Sequence, residues 1–146
     1  MTNYPDLIPQ KFVVHDDETN APAIHQRTIA NLITDLTIEY RSGRIPFEPL
    51  PEMMVGEYNS PTPDIVFFDA TEEAKVIIEV CHSRGMGGDL KKVISLIDEQ
   101  GYAILEGFLY NYKTQQWLRY RKGDGGQATE SSFSDALQLD LNTFLS

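Results

Sequence analysis

Two carboxylates separated by a hairpin are the residues of this chain best placed to do chemistry. Asp64 opens the run Pro63-Asp64-Ile65-Val66-Phe67-Phe68-Asp69, and Glu79 lies in Lys75-Val76-Ile77-Ile78-Glu79-Val80-Cys81. Both runs are β-branched and aromatic and of strand length. The polar stretch Ala70-Thr71-Glu72-Glu73-Ala74 between them is short enough only for a turn. A turn centred between Thr71 and Glu72 pairs residues whose numbers add to 143, so Asp64 faces Glu79. Directly opposed residues of an antiparallel pair point to one face, with Cβ atoms about 4.5–5.5 Å apart. Two like charges held there repel, and a hard divalent cation between them turns that repulsion into a binding site. A register slip of one residue would send Glu79 to the other face. The competing reading then makes Asp64 a strand-start residue after proline and Glu79 a solvated edge position.

The neighbours bear on that choice. Ile65, Phe67, Ile78 and Val80 fall on one face of the expected pair, and Val66, Phe68 and Ile77 on the other. Strands apolar on both faces belong inside a covered sheet. Helices must supply the cover. Ile24, Thr28, Ile29, Leu32, Ile33, Leu36 and Tyr40 recur at helical spacing, with Asn20 as cap, Pro22 in the first turn and Gly43 as the stop. A second helix is expected from Asp89 as its N-cap, with Leu90, Val93, Ile94 and Ile97 as its apolar stripe and Lys91 and Lys92 off that stripe. Lysines in a first turn oppose the helix dipole, which is a reason to look for another role for them.

The remaining segments read more simply. Phe12-Val13-Val14 is a short strand or part of an N-terminal arm covering residues 1–19. Ile45-Pro46-Phe47 and Met53-Met54-Val55 suggest short strands broken by Pro49 and Pro51. His82-Ser83-Arg84-Gly85-Met86-Gly87-Gly88 has three glycines but not the Walker spacing, and reads as a flexible linker. Tyr102 to Lys122 reads as a hairpin turning near Asn111-Tyr112-Lys113-Thr114. Its Phe108, Tyr110, Trp117 and Tyr120 serve either sheet packing or base stacking. A polar loop and a short helical or irregular segment, Ser134 to Leu145, follow.

The order of these features resembles the PD-(D/E)XK arrangement of the restriction-endonuclease-like superfamily, and within it the Uma-type endonuclease branch. The resemblance rests on Pro63-Asp64, the hairpin, Glu79-Val80-Cys81-His82-Ser83 and Asp89-Leu90-Lys91-Lys92. It continues through the strands around Tyr110 and Trp117-Leu118-Arg119-Tyr120 and the tail Ser134-Asp135-Ala136-Leu137-Gln138-Leu139-Asp140-Leu141. It runs from about Ile24 to the end. It implies an α/β (α+β) fold with a central mixed β-sheet flanked by helices. The implied activity is hydrolysis of DNA phosphodiester bonds with magnesium or manganese. Asp64 and Glu79 become the metal-binding carboxylates, with the Val80 or Cys81 carbonyl as a further ligand. The superfamily lysine would fall at Cys81; the Uma-type branch takes it from the following helix, which makes Lys92 the catalytic lysine and Lys91 the alternative. His25, near the start of the first helix where the superfamily often has a glutamate, either reaches the same site or stands on the surface as an ordinary helix-start histidine. Glu48 and Glu57 are further carboxylates without an assigned place.

Composition sets limits. With 146 residues, 41% of them hydrophobic, the chain suits a single domain, and one cysteine makes no internal disulfide. No secretory signal or membrane span is visible, so the expected location is the cytoplasm. His82 beside Cys81 has no second Cys/His pair, which argues against zinc. The net charge of −10 opposes binding to phosphates unless the basic residues cluster. Arg119, Arg121, Lys122, Lys91, Lys92 and Arg84 could form such a cluster, or a solvated face. Two other functions therefore stay open: a catalytically silent nuclease-fold module that binds a protein or nucleic acid, and a homodimer paired through the aromatic hairpin.

Overall fold

The computed structural model describes residues 22–56 and 61–145. The expected strand at Phe12–Val14, the cap Asn20 and Glu57 lie outside the described residues. Five strands form one mixed sheet in the order β1 (Glu48–Pro51), β2 (Ile65–Phe68), β3 (Ala74–Cys81), β4 (Glu106–Asn111) and β5 (Gln116–Arg121). All neighbours run antiparallel except β3 and β4, which are parallel and joined through helix α2 (Met86–Asp98). Helix α1 (Ala23–Arg41) covers the other face. A two-stranded ribbon, β6 (Phe133–Ser134) with β7 (Leu139–Asp140), and a 3-10 turn at Leu141–Leu145 complete the chain. This is the expected α+β architecture, a central mixed sheet between helices.

The central hairpin has the expected register. Ile65 pairs with Ile78, Val66 with Ile77 and Phe67 with Val76 before a bulge at Phe68. Its turn is tied by Asp69, whose Oδ1 accepts the backbone N–H groups of Thr71 and Glu73, at 2.9 Å each. Both faces are buried as expected. Ile65, Phe67, Ile78 and Val80 pack with Ile29, Leu32 and Leu36 of α1. Val66 and Ile77 pack with Val93, Leu96 and Ile97 of α2. Gly107 of β4 lets α2 approach closely, because a Cβ there would run into Val93 Cγ1.

Several boundaries differ from the sequence reading, each for a local reason. Helix α1 starts at Ala23, with Pro22 as the cap residue outside it; the Pro22 carbonyl accepts the His25 and Gln26 N–H groups. Pro22 itself is extended, at ψ 161°, so the helix begins after it. It ends as expected, with Gly43 in the left-handed region at φ +82°. Helix α2 starts at Met86, capped by Gly85, so Asp89 lies in its first turn instead of at the cap. The expected linker is therefore turn from Ser83 to Gly85 and helix from Met86 on. Gly87 and Gly88 each cost about 1 kcal/mol in helix propensity. Burial of Val93, Leu96 and Ile97 outweighs this.

Pro49 and Pro51 do not break strands but form one. They alternate with Glu48 and Leu50 on the outermost strand, and the Glu52 N–H continues the ladder to the Asp64 carbonyl at 3.0 Å. That spacing aims both proline nitrogens away from β2, where no partner strand needs a donor. Strand β4 starts later than expected because Gly101 and Ala103 adopt positive φ. At the other side of the sheet, Arg119 of β5 exchanges backbone hydrogen bonds with Thr129.

Candidate active site

The functional side chains converge where β2 begins and β3 ends. Extending the hairpin register by one residue brings Asp64 opposite Glu79. Asp64 Oδ2 accepts the Val80 N–H at 2.8 Å and lies 3.5 Å from His25 Nε2. His25 thus reaches the site from the first turn of α1 and is not a surface histidine. Its pKa is raised, mainly by its hydrogen bond to Asp64, against the opposing effect of burial.

Glu79 lies on the α2 side and is only 4% exposed. Its Oε2 is 2.7 Å from Lys92 Nζ. Lys92 is the one partner of this buried oxygen among the described residues. It is an ion pair held by charge, with acceptor capacity to spare. Burial is the main reason the Glu79 carboxyl is pushed up to about 7; Lys92 opposes the shift, and Asp64 and Asp89 add to it. Burial alone would lower Lys92, but Glu79, Asp89 and Asp64 outweigh it and its pKa is raised. The two shifts describe different states. The rise of Lys92 belongs to ionised Glu79; when Glu79 takes a proton the lysine loses its main anchor. Asp89 is also raised, first by burial.

The other expected site residues separate into those that reach this point and those that do not. Lys91 is exposed, whereas Lys92 is half-buried against Glu79. Cys81 faces the α2 core, and burial pushes its thiol up to about 12, so the sulfur is neither a nucleophile nor a ligand near neutral pH. Its carbonyl accepts the Tyr112 N–H at 3.0 Å, while the Val80 backbone lies beside His25. Glu48 pairs with Phe68 at the turn end of the hairpin, far along the strand from Asp64. Phe108, Trp117 and Tyr120 are buried, with Phe108 and Trp117 edge to face, so these aromatics pack the sheet and do not offer faces to bases.

The expected basic cluster is dispersed. Arg119 bonds the Phe133 carbonyl, and Arg121 is paired with Asp124 and Asp135 at the opposite end of the sheet. Of that group Arg84, Lys91 and Lys92 lie on the segment that leaves the carboxylate end, Lys91 exposed and Lys92 against Glu79. Lys113 joins them there on the β4–β5 turn. Sequence reasoning missed Lys113 and the buried Asn111 that holds this turn. The Asn at a strand end before a polar turn was the available signal.

No family model matches the chain, and no curated protein matches it. Among solved structures it is similar to a candidate nuclease of the DUF820 family from Anabaena variabilis ATCC 29413. The TM-score is 0.54 at 12% identity, over 84% of this chain and 80% of that one. The likeness establishes a nuclease-like fold.

Among the described residues no group of three or more His, Cys, Asp or Glu side chains is placed to hold a metal ion. The donor set still fits a hard cation that keeps most of its own water, because magnesium is commonly held by one or two carboxylates. The buried Glu79 Oε2, whose one partner among the described residues is Lys92, is the atom that favours this fit. Also among the described residues, no helix is long and apolar enough to cross a membrane.

Proposed function

We propose that the chain is a single nuclease-fold domain that hydrolyses phosphodiester bonds of DNA with magnesium or manganese. The observation that carries this reading is the convergence of Asp64, Glu79 and Lys92 from β2, β3 and α2 at one end of the sheet, with Lys92 Nζ 2.7 Å from Glu79. Asp64, Glu79 and the Val80 carbonyl would hold the cation, which supplies Lewis acidity at the scissile phosphate and a more acidic bound water. The chain's own groups do the rest. Lys92, anchored by Glu79, offsets negative charge that develops on the phosphoryl oxygens. The Val80 N–H fixes the rotamer of Asp64. His25 orients Asp64 from the other side.

The test is cleavage of single- and double-stranded DNA with magnesium or manganese. Wild type should cleave, Asp64→Ala should lose at least about a hundredfold in rate, and Lys92→Met should lose a similar factor. Cleavage by Asp64→Ala at the wild-type rate would remove the mechanism.

One observation favours a second reading, a silent module of the same fold. Asp64 Oδ2 is already engaged by the Val80 N–H and His25, and Cys81 stands at the superfamily lysine position. Nucleic-acid binding with no manganese heat in calorimetry would select it.

A further inference from the structure

A second feature lies at the same end of the sheet and is not used by the site just described. Strand β3 runs out into His82, Ser83 and Arg84, and the β4–β5 turn brings Lys113 across from them. Together they line a pocket of about 270 Å³. Among the described residues its lining carries two cationic side chains, an imidazole and a hydroxyl. On a chain of net charge −10, two basic side chains are gathered here at one end of the sheet.

The walls are held in place from beneath. Asn111 is 2% exposed and bonds to both rims. Its Nδ2 donates to Ser83 Oγ at 3.1 Å, and its Oδ1 accepts the N–H groups of Lys113 at 2.9 Å and Thr114 at 3.2 Å. His82 Nδ1 accepts the Arg84 N–H at 3.1 Å, which places the hydrogen of the neutral ring on Nε2 as a donor. Tyr112 meets that ring edge-on, at 6.4 Å between centroids. The pocket thus presents donors on a fixed frame, and its shape does not depend on long side chains finding each other.

We propose that this pocket binds a phosphate group. Under the proposed function the phosphate is a backbone phosphodiester of the substrate strand, held beside the one presented to Glu79 and Lys92. Guanidinium and ammonium groups bind phosphate oxygens through charge-assisted hydrogen bonds. The hydroxyl and imidazole donors add direction. A polyanion approaching so acidic a protein would meet two of its basic side chains side by side on this frame. Asn111 is a positioning residue, acting through Ser83 and Lys113.

The full chain is titrated with inorganic phosphate, followed by NMR, and with a short single-stranded DNA, followed by fluorescence anisotropy at several salt concentrations. Lys113→Gln is the main variant because its side chain is exposed and its loss leaves the fold intact. Lys122→Gln, at the far end of the sheet, is the control. Lys113→Gln should weaken DNA roughly fivefold and reduce the log–log salt slope by about one, with Lys122→Gln unchanged. Asn111→Ser should weaken DNA as well while retaining the wild-type salt slope, since it removes no charge. Phosphate binding lost in Lys113→Gln, with no DNA binding by wild type, supports the pocket but fails the nucleic-acid reading. DNA binding by wild type that is unchanged in Lys113→Gln and in the Arg84→Gln/Lys113→Gln pair overturns the pocket and leaves the cleavage reading standing. Binding of neither probe also overturns it.

Discussion

Two glutamates are buried on adjacent parallel strands, and they are treated in opposite ways. Glu106 heads β4, is 2% exposed, and has both oxygens occupied. Ser134 Oγ donates to it at 2.6 Å, and the Asp135 and Ala136 N–H groups at 2.7 and 3.3 Å. Glu79 lies toward the far end of β3, is 4% exposed, and has one buried oxygen whose single partner among the described residues is a half-exposed lysine. Burial is the same; satisfaction is not. A carboxylate surrounded by fixed donors pins structure, in this case the C-terminal segment to the sheet. A carboxylate left short of donors keeps capacity for something that is not part of the fold.

The contrast is sharpest in stability. Glu106→Ala leaves three donors without their acceptor, and should cost about 3–5 kcal/mol in urea unfolding, with faster proteolysis near Ser134. Gly107→Ala tests what joins the two ends. The added methyl pushes Val93, and with it α2, off the sheet, so about 3 kcal/mol of stability should go along with the Lys92–Glu79 contact. Equal stability in Gly107→Ala and wild type would show that α2 is not held as close as described.

Glu79→Gln should behave quite differently, with unfolding free energy at neutral pH within about 1 kcal/mol of wild type and cleavage abolished. Its pH dependence is the sharper readout. A folded-state pKa raised from 4.5 to about 7 means that the folded chain keeps a proton which the unfolded chain has released. Stability from this group is therefore full below about 4.5 and falls as pH rises toward 7. Glu79→Gln should flatten that window in thermal melts. Smallest of all, Lys92→Met should leave neutral-pH stability nearly unchanged, because the carboxyl protonates instead of remaining as a lone buried charge. The window should then extend above about 7. A glutamate whose window stayed put would not be paired as described.

What could be read from the chain followed the physics that is local. The hairpin register came from the length of one turn and two apolar runs, and Ile65 opposite Ile78 bears it out. The choice of Lys92 over Lys91 came from family likeness alone; the fold leaves Lys91 exposed and sets Lys92 against Glu79. What stayed hidden depended on distant partners. Gly87 and Gly88 are helical only because Val93, Leu96 and Ile97 have a sheet to bury against. Pro49 and Pro51 form a strand only because theirs is outermost. Glu106 carried the same mark as Asp64, an acid at the head of an apolar strand. Nothing near it in sequence announced that Ser134, Asp135 and Ala136 would fold back to meet it.

The two imino acids on β1 have a consequence for company as well as for shape. A second molecule arriving at that side meets a row with alternate donors missing, so it cannot template itself there and extend the array. A chain this rich in Val, Ile and Phe is thereby shielded from fibre growth along that flank. Visitors are steered instead to the helical covers or to the open ends of the strands, and it is at one of those ends that the carboxylates and the cationic pocket wait.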